Sequence, residues 1–584
     1  MENLPAAMIR HLKWPQLLGL FLLLVMPMVF APFISDDFFH LLMLGDSPPL
    51  PHPNDGSLYG LFSFISDDAA SRQLLIDQGA LPWWTGDNFY FKFWRPLAEI
   101  THRVDYTLAP MQPVFAHLHS IAWFVALALI VQKLYQRFAV SAAVAWLAVI
   151  VFVLNGNHAP TIEWIANRNA LLAACFAFLS LYCHSCFRDH GRYRDYLLAV
   201  LSLLAGLLSG ESAVAAGGFF FAYALFVDRS GLIRGLVWML PYALVVIVWF
   251  AVYRHLGFGA DGSGIHYVDA VAQPLAFLLA VAERLPVYIF AGFSILPAEL
   301  YPALQLLNPA LARVIFVLVL LVLLVLLVLL WPWLKRDRSM RFFLLGSVLS
   351  IIPFCSLVNQ DRLLLIPSIG FSFVIAQLIH GMLVEKRAIS CQRLYTSSLR
   401  LLAWLLVLLH LIVSPVYLFA ASWHIHDNAR QTRQVLEDLP HAAMEADNLL
   451  IFKGPLLHSA LLKPVRQLAD KSYPVNVLLL STPGGKLELE RTAENRLLLR
   501  RDIGFVAQFE QSFRDLQRQP FMPGDQLYTA MAVLTVKEVN DQGQPLLLEC
   551  ELRAPLHSYR FLVYDRARNP RLVELPAIGE SVSW

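Results

Sequence analysis

Two adjacent carboxylates, Asp36 and Asp37, stand directly after an apolar run, Leu17 to Phe33, that contains no charged residue. A carboxylate can take a proton from a hydroxyl nucleophile. At the bilayer centre an acid costs roughly 2.5–3.5 kcal/mol on insertion scales, so acids this close to a span belong to a wet cavity or to chemistry. Other reactive types recur at the ends of apolar runs. They are Arg95 in Trp94-Arg95-Pro96-Leu97, then His102 and Arg103, then His117, then His158, Glu163 and Arg168, then Glu211 in Ser209-Gly210-Glu211-Ser212, and finally Asp361-Arg362. Arginine grips phosphate through a planar fork of N–H donors. Carboxylates, histidines and arginines drawn from several loops on one face suit a reaction whose leaving group is an anionic lipid phosphate. The plain alternative for each residue is an interfacial charge, and for Cys183-His184-Ser185-Cys186 it is packing, since no second ligand pair lies nearby.

The elements that must position these residues are membrane helices. Of 584 residues, 57% are hydrophobic and 15% charged, against about 25% charged in a soluble globular chain. Apolar segments at about 17–33, 113–131, 138–154, 169–186, 195–209, 212–227, 235–253, 311–333, 341–358, 364–384 and 399–421 predict about eleven spans. Basic residues alternate by loop. Arg10 and Lys13, Lys133 and Arg137, Arg188 to Arg194, Arg229 and Arg234, Lys335 to Arg341, and Lys386, Arg387, Arg393 and Arg400 fall on one side. The positive-inside rule makes that side the cytoplasm, with the N-terminus cytoplasmic and the C-terminus outside. The first segment reads as an uncleaved anchor, for no small-residue cleavage site follows Phe33.

The expected fold is therefore an α-helical polytopic membrane protein with a C-terminal α+β soluble domain. Residues 1–422 form the membrane domain, with long outer loops at 34–112 and 254–310; residues 423–584 form the outward-facing domain. The first loop, with Pro82-Trp83-Trp84 and many other aromatics, is expected along the membrane interface. The stretch 274–296 is expected as a surface-lying or re-entrant helix, because a twelfth span would reverse every later loop. In the tail, Leu449 to Phe452 and Val475 to Leu480 read as buried strands, and Tyr528 to Val536 and Tyr559 to Tyr564 as hairpin strands with a turn at Asn540-Asp541-Gln542-Gly543. The six cysteines suggest no disulfide framework: Cys391 and four others flank apolar spans, and Cys550 is alone in the tail.

Several strings occur in an order that resembles a known family. They are Asp36-Asp37, Arg95-Pro96-Leu97, Trp164-Ile165-Ala166-Asn167-Arg168-Asn169-Ala170-Leu171-Leu172, Ser209-Gly210-Glu211, and Asp361-Arg362 followed by Pro367-Ser368-Ile369-Gly370-Phe371. Together they resemble the membrane half of the transmembrane O-mannosyltransferases with tetratricopeptide repeats and, more broadly, the GT-C glycosyltransferases that use polyprenyl-phosphate sugars. The resemblance covers roughly residues 15–420. It implies a GT-C-like fold, an inverting transfer of a sugar such as mannose, and a catalytic role for Asp36 and Asp37. It also implies donor-phosphate binding by Arg95 and Arg362, a polyprenyl-phosphate-sugar donor, and a glycan, lipid or protein acceptor. Membrane lipids are expected partners and nucleic acid is not; the setting implied is a bacterial inner membrane with the tail periplasmic or extracellular. The sequence leaves open whether a divalent cation, Mg or Mn, sits on Asp36 and Asp37. It departs from the family at Gly210, where a lysine is usual, at Pro160, where a glutamate is usual, and at Ser120, where an asparagine is usual; the repeats are absent. The rival classes are a flippase or transporter of polyprenyl-linked glycans, which would place charges within broken spans, and a non-catalytic scaffold.

Overall fold

The computed structural model describes residues 4–45, 60–264, 267–385, 393–565 and 569–584; Lys386, Arg387 and Cys391 lie outside them. The chain forms two compact units. The first comprises Met1–Ala31, Arg95–Leu256 and Val268–Asp427, and the second Pro32–Trp94, Gly257–Tyr267 and Asn428–Trp584.

The first unit is helical. Eight helices among the described residues are long and apolar enough to cross a membrane, or ten if each of two bent pairs counts as one span. The difference from the expected eleven has local causes. The first apolar run ends as a helix at Val29, with Pro27 inside its last turn, and it bends by 113° from Leu4–His11. Segments 195–209 and 212–227 become Tyr193–Ser209 and Gly217–Phe226, separated by Gly210 and a 3-10 turn. Pro274–Ser294 is itself one of the eight, so length alone does not make it a surface helix. Several helices open on a proline, Pro96, Pro113, Pro274 and Pro309, where the missing N–H costs nothing. Asn308 and Asp337 cap the starts of Pro309–Arg336 and Arg338–Ile351 through their side chains.

At the centre of this unit lies Leu365–Ile379, every residue of which is buried. It packs against Arg338–Ile351 and Ala142–Val153. The string Pro367-Ser368-Ile369-Gly370 explains how. The Pro367 carbonyl accepts from Ser347 Oγ at 2.6 Å and the Ile369 carbonyl from Tyr135 Oη at 2.5 Å. A Cβ at Gly370 would fall 2.1 Å from the Phe343 carbonyl oxygen, so only glycine lets the two helices approach so closely. By contrast, the Leu/Val-rich helix Pro309–Arg336 is mostly exposed, as a lipid-facing span must be.

The second unit is mixed α/β. A six-stranded antiparallel sheet runs in the order Ser581–Ser583, Leu487–Arg491, Arg496–Arg501, Pro545–Leu552, Ala532–Val539, Gln526–Tyr528. A four-stranded sheet runs Asn569–Val573, Tyr559–Asp565, Asn448–Lys453, Asn476–Leu479; its last two strands are parallel and joined through helix Leu456–Leu468. Such a parallel pair needs a crossover of this kind. The turn at Asn540–Gly543 closes the hairpin as expected, with Gly543 at φ 70°. A third sheet, Ser63–Ile65, Tyr90–Lys92 and Gly259–Asp261, ties the two loop segments together.

The first-loop aromatics differ from the interfacial expectation. Trp83 and Trp84 are fully buried in this unit's core. Their indole N–H groups donate to the carbonyls of Leu480, at 3.1 Å, and Glu510, at 3.0 Å. A buried indole N–H usually finds such an acceptor, and here the tail supplies it. Cys175, Cys183, Cys186, Cys355 and Cys550 are free thiols.

Candidate functional site

Asp36 and Asp37 occupy the first turn of helix Asp36–Leu44 in the second unit. Negative charge is favoured there by the unpaired N–H groups and the helix dipole. Asp37 Oδ2 accepts from the Ile34 N–H at 3.0 Å, and Asp36 Oδ1 from Ser35 Oγ at 3.3 Å. The residue before the pair, Ser35, has φ 42° and ψ −118°, a conformation that L-residues rarely adopt. Asp37 is buried and Asp36 half-buried. Helix Asp36–Leu44 packs on Leu456–Leu468 of the same unit.

The remaining candidates belong to the helical unit, in local groups. Arg95 is the N-cap of helix Pro96–Leu108. Its Nε and Nη2 both reach Glu211 Oε2, at 2.9 and 2.8 Å. This ion pair joins two motif strings 116 positions apart. On the same helix Arg103 binds Glu99 one turn earlier, at 2.6 Å, and His102 is buried.

Arg168 is fully buried, and its guanidinium is enclosed by the chain. Nη1 lies 2.5 Å from Asp105 Oδ2, Nε donates to Ser120 Oγ at 3.0 Å, and Nη2 to the Ala116 carbonyl at 2.8 Å. The other Asp105 oxygen lies 2.6 Å from His119 Nδ1. Trp123 donates its indole N–H to His119 Nε2 at 3.1 Å. That makes Nε2 the acceptor and leaves Nδ1 to donate to Asp105. Ser120, one of the departures from the family pattern, thus serves Arg168 directly.

His117 donates from Nε2 to the Ala31 carbonyl at 3.2 Å. His158 is completely buried against Ser368, with Nε2 2.8 Å from Oγ. Because the Ser368 hydroxyl proton goes to the Leu365 carbonyl at 2.7 Å, His158 is the donor in that bond. Glu163 is 1% exposed, with the Ser422 hydroxyl beside its carboxylate. Asp361 is held by a reciprocal clasp that the sequence did not suggest. Its N–H donates to Glu299 Oε1, and its Oδ1 accepts from the Ala298 N–H, both at 2.7 Å. Ile295, at φ 61°, ends helix Pro274–Ser294 just before that segment. Tyr417 Oη adds a long contact to Asp361 Oδ2 at 3.4 Å. Arg362 donates from Nε to Gln360 Oε1 at 2.5 Å, and its guanidinium lies 5.2 Å from the Trp164 ring centre.

Glu299, Trp164, Gln360 and Tyr417 are the site neighbours that sequence reasoning missed. Only Trp164 carried a signal, as the first residue of a motif string. Among the described residues no group of three or more His, Cys, Asp or Glu side chains is arranged to hold a metal ion.

No protein-family model matches the chain, and no curated protein matches it. Among solved structures, it is similar to the crystal structure of ArnT from Cupriavidus metallidurans bound to undecaprenyl phosphate. The TM-score is 0.36 with 13% identity, covering 80% of this chain and 85% of that one.

Proposed function

We propose that this chain is an inverting GT-C-type glycosyltransferase that moves a sugar from a polyprenyl-phosphate carrier to an acceptor on the outer face of the membrane. The resemblance in its motif strings points to mannose. In the proposed step the acceptor oxygen attacks the anomeric carbon and the bond from that carbon to the phosphate oxygen breaks. The acceptor proton passes to Asp36 or Asp37. The polyprenyl phosphate departs with its added negative charge held by Arg95 and Arg362. The other charged residues orient these groups, as Glu211 orients Arg95.

The observation that most supports this reading is the backbone at Ser35. Strain of this kind, on a residue that is not glycine, collects at sites where geometry matters more than stability. It directly precedes the two acids that the resemblance makes catalytic. The test compares the glycans of cells lacking this chain with those of cells carrying Asp36→Asn or Asp37→Asn, by mass spectrometry. The reading expects a sugar missing in the deletion. It also expects transfer to fall at least about a hundredfold in the variants, within the usual range for a lost general base, at normal protein levels. A deletion that changes no glycan would reject transfer. Full restoration by both variants would remove the acids from the chemistry.

A further inference from the structure

Arg284 stands at the middle of helix Pro274–Ser294, and apart from Glu283 its neighbours on both sides are apolar. A charge in an apolar membrane helix needs a partner or a wet cavity. Helical spacing puts Arg284 on one face with Ala280, Val287, Tyr288 and Ala291, all of them buried. Leu275, Leu278 and Leu279, on the other side of the helix, are exposed. The arginine therefore looks into the helical unit. There its Nη1 donates to the Cys355 carbonyl at 2.9 Å. Glu283 lies about 100° round the helix, and its Oε1 is taken by Gln305 Nε2 at 2.5 Å and Tyr301 Oη at 3.2 Å. Among the described residues Arg284 makes no ion pair. Its Nε and Nη2 meet no acceptor there either, yet neither atom is enclosed. A guanidinium with five donors thus spends one on the chain and keeps its Nε–Nη2 edge open.

The backbone beside it leads on to Arg362. The Arg284 carbonyl accepts from Asn359 Nδ2 at 3.1 Å. One turn later Tyr288 Oη donates to the Val358 carbonyl at 3.3 Å and accepts from the Gln360 N–H at 3.2 Å. Gln360 in turn holds Arg362 Nε. Non-helical backbone at membrane depth is tolerated only where protein buries it or a wet cavity meets it. We infer that Arg284 is a further binding residue for the phosphate of the lipid carrier, which it takes on its Nε–Nη2 edge. This rests on the polyprenyl-phosphate reading proposed above. Two parallel N–H donors on one edge match two phosphate oxygens. Arg284 is half-buried, and a charge partly withdrawn from water attracts an anion more strongly than one in bulk solvent. The plainer role is a staple that holds the Cys355 carbonyl. Tyr288 ties the same strip of backbone without a charge and so supplies the control.

The probe is farnesyl phosphate, with farnesol as its phosphate-free control, binding to the full chain in micelles of an uncharged detergent. Wild type prefers farnesyl phosphate to farnesol. R284A weakens farnesyl phosphate about tenfold, in line with one lost charge-assisted contact, and leaves farnesol unchanged. R284K, which keeps the charge and loses the fork, falls between the two. Y288F, which loosens the same strip, stays near wild type. Equal losses in R284A and Y288F would overturn the inference and leave the arginine a staple. Unchanged farnesyl phosphate affinity in R284A, with wild type still preferring it to farnesol, overturns the inference alone. A wild type that binds both probes alike overturns the carrier reading as well. Displacement of farnesyl phosphate by an equal concentration of phosphatidylglycerol or inorganic phosphate overturns the assignment to the carrier, because any phosphate then fills the edge. If R284A is recovered unfolded, R284Q against R284K decides: R284Q loses more, and equal affinities overturn the inference.

Discussion

The enclosed arginine of the helical unit gives the most quantitative expectation. Asp105→Asn keeps the size and hydrogen-bonding shape of the side chain but removes the counter-charge of Arg168, whose own side chain is fully buried. With charge centres about 4 Å apart and an effective dielectric of about 20, the lost attraction is about 4 kcal/mol. The Asn oxygen still accepts one hydrogen bond, which returns about 1 kcal/mol. Ser120 and the Ala116 carbonyl remain as neutral acceptors but bring no charge. A net loss of about 3 kcal/mol results, at the lower end of what breaking a buried pair costs. Arg168→Met is expected to cost less than Asp105→Asn, because Asp105 is slightly exposed and retains His119. The double variant Asp105→Asn with Arg168→Met leaves no orphaned charge and should recover most of the loss. The assay is thermal unfolding of the detergent-solubilised chain, followed by size-exclusion recovery after heating. If Asp105→Asn melts with wild type, or if the double variant is as damaged as the sum of the singles, the pair is not the uncompensated-charge lock described above.

Gly370→Ala should destabilise the helical unit by about 1–3 kcal/mol, the usual cost of overpacking, because its Cβ would meet the Phe343 carbonyl oxygen at 2.1 Å; recovery of folded protein after mild heating measures it. His458 in the second unit is pushed down to about 4 by burial alone, so the folded state keeps it neutral while the unfolded chain takes up a proton near its ordinary value. Its contribution to stability is therefore complete above about pH 6.5, falls through the window down to pH 4, and is reduced by on the order of 3 kcal/mol at the lower end. Unfolding of wild type and His458→Leu across that window should show the shallower pH dependence in the variant, and parallel curves would contradict the assignment. A fluorescent reporter that matures only in the cytoplasm, fused after Trp584, should stay dark if the charge alternation gives the orientation; bright intact fusion protein would reverse it.

The sequence made some of this legible and hid the rest for identifiable reasons. Apolar windows around 341–358 and 364–384 announced the helices Arg338–Ile351 and Leu365–Ile379, because burial and lipid both demand such windows. The strands at Leu449–Phe452 and Val475–Leu480 were readable for the same reason. Gly210 and Pro27 shortened their segments, an effect that a hydropathy window averages away. The reactive residues were visible by type, but their partners were not. Arg95 meets Glu211 and Arg168 meets Asp105 across 116 and 63 positions, and no local pattern marks such a pairing. Glu299 follows an apolar helix and looks like an ordinary loop acid until Asp361 is seen against it. The Pro-Ser-Ile-Gly string, prominent for its resemblance, spends its polar groups on helix packing. The tryptophan pair misled most directly, since buried indoles and interfacial indoles look alike until a distant acceptor is known.

That tryptophan pair also imposes an order of events on the ribosome. The acceptor for Trp84 is the carbonyl of Glu510, 426 residues later in the chain. At about 5–20 residues per second, some 20–85 seconds separate the synthesis of the two partners. Throughout that interval the Pro82-Trp83-Trp84 segment is already made while the sheets that enclose it do not yet exist. The helices between Arg95 and Leu256 are inserted while this apolar segment waits. A chain ended before residue 480 therefore lacks the acceptors of both indoles and most of the sheet strands that enclose them.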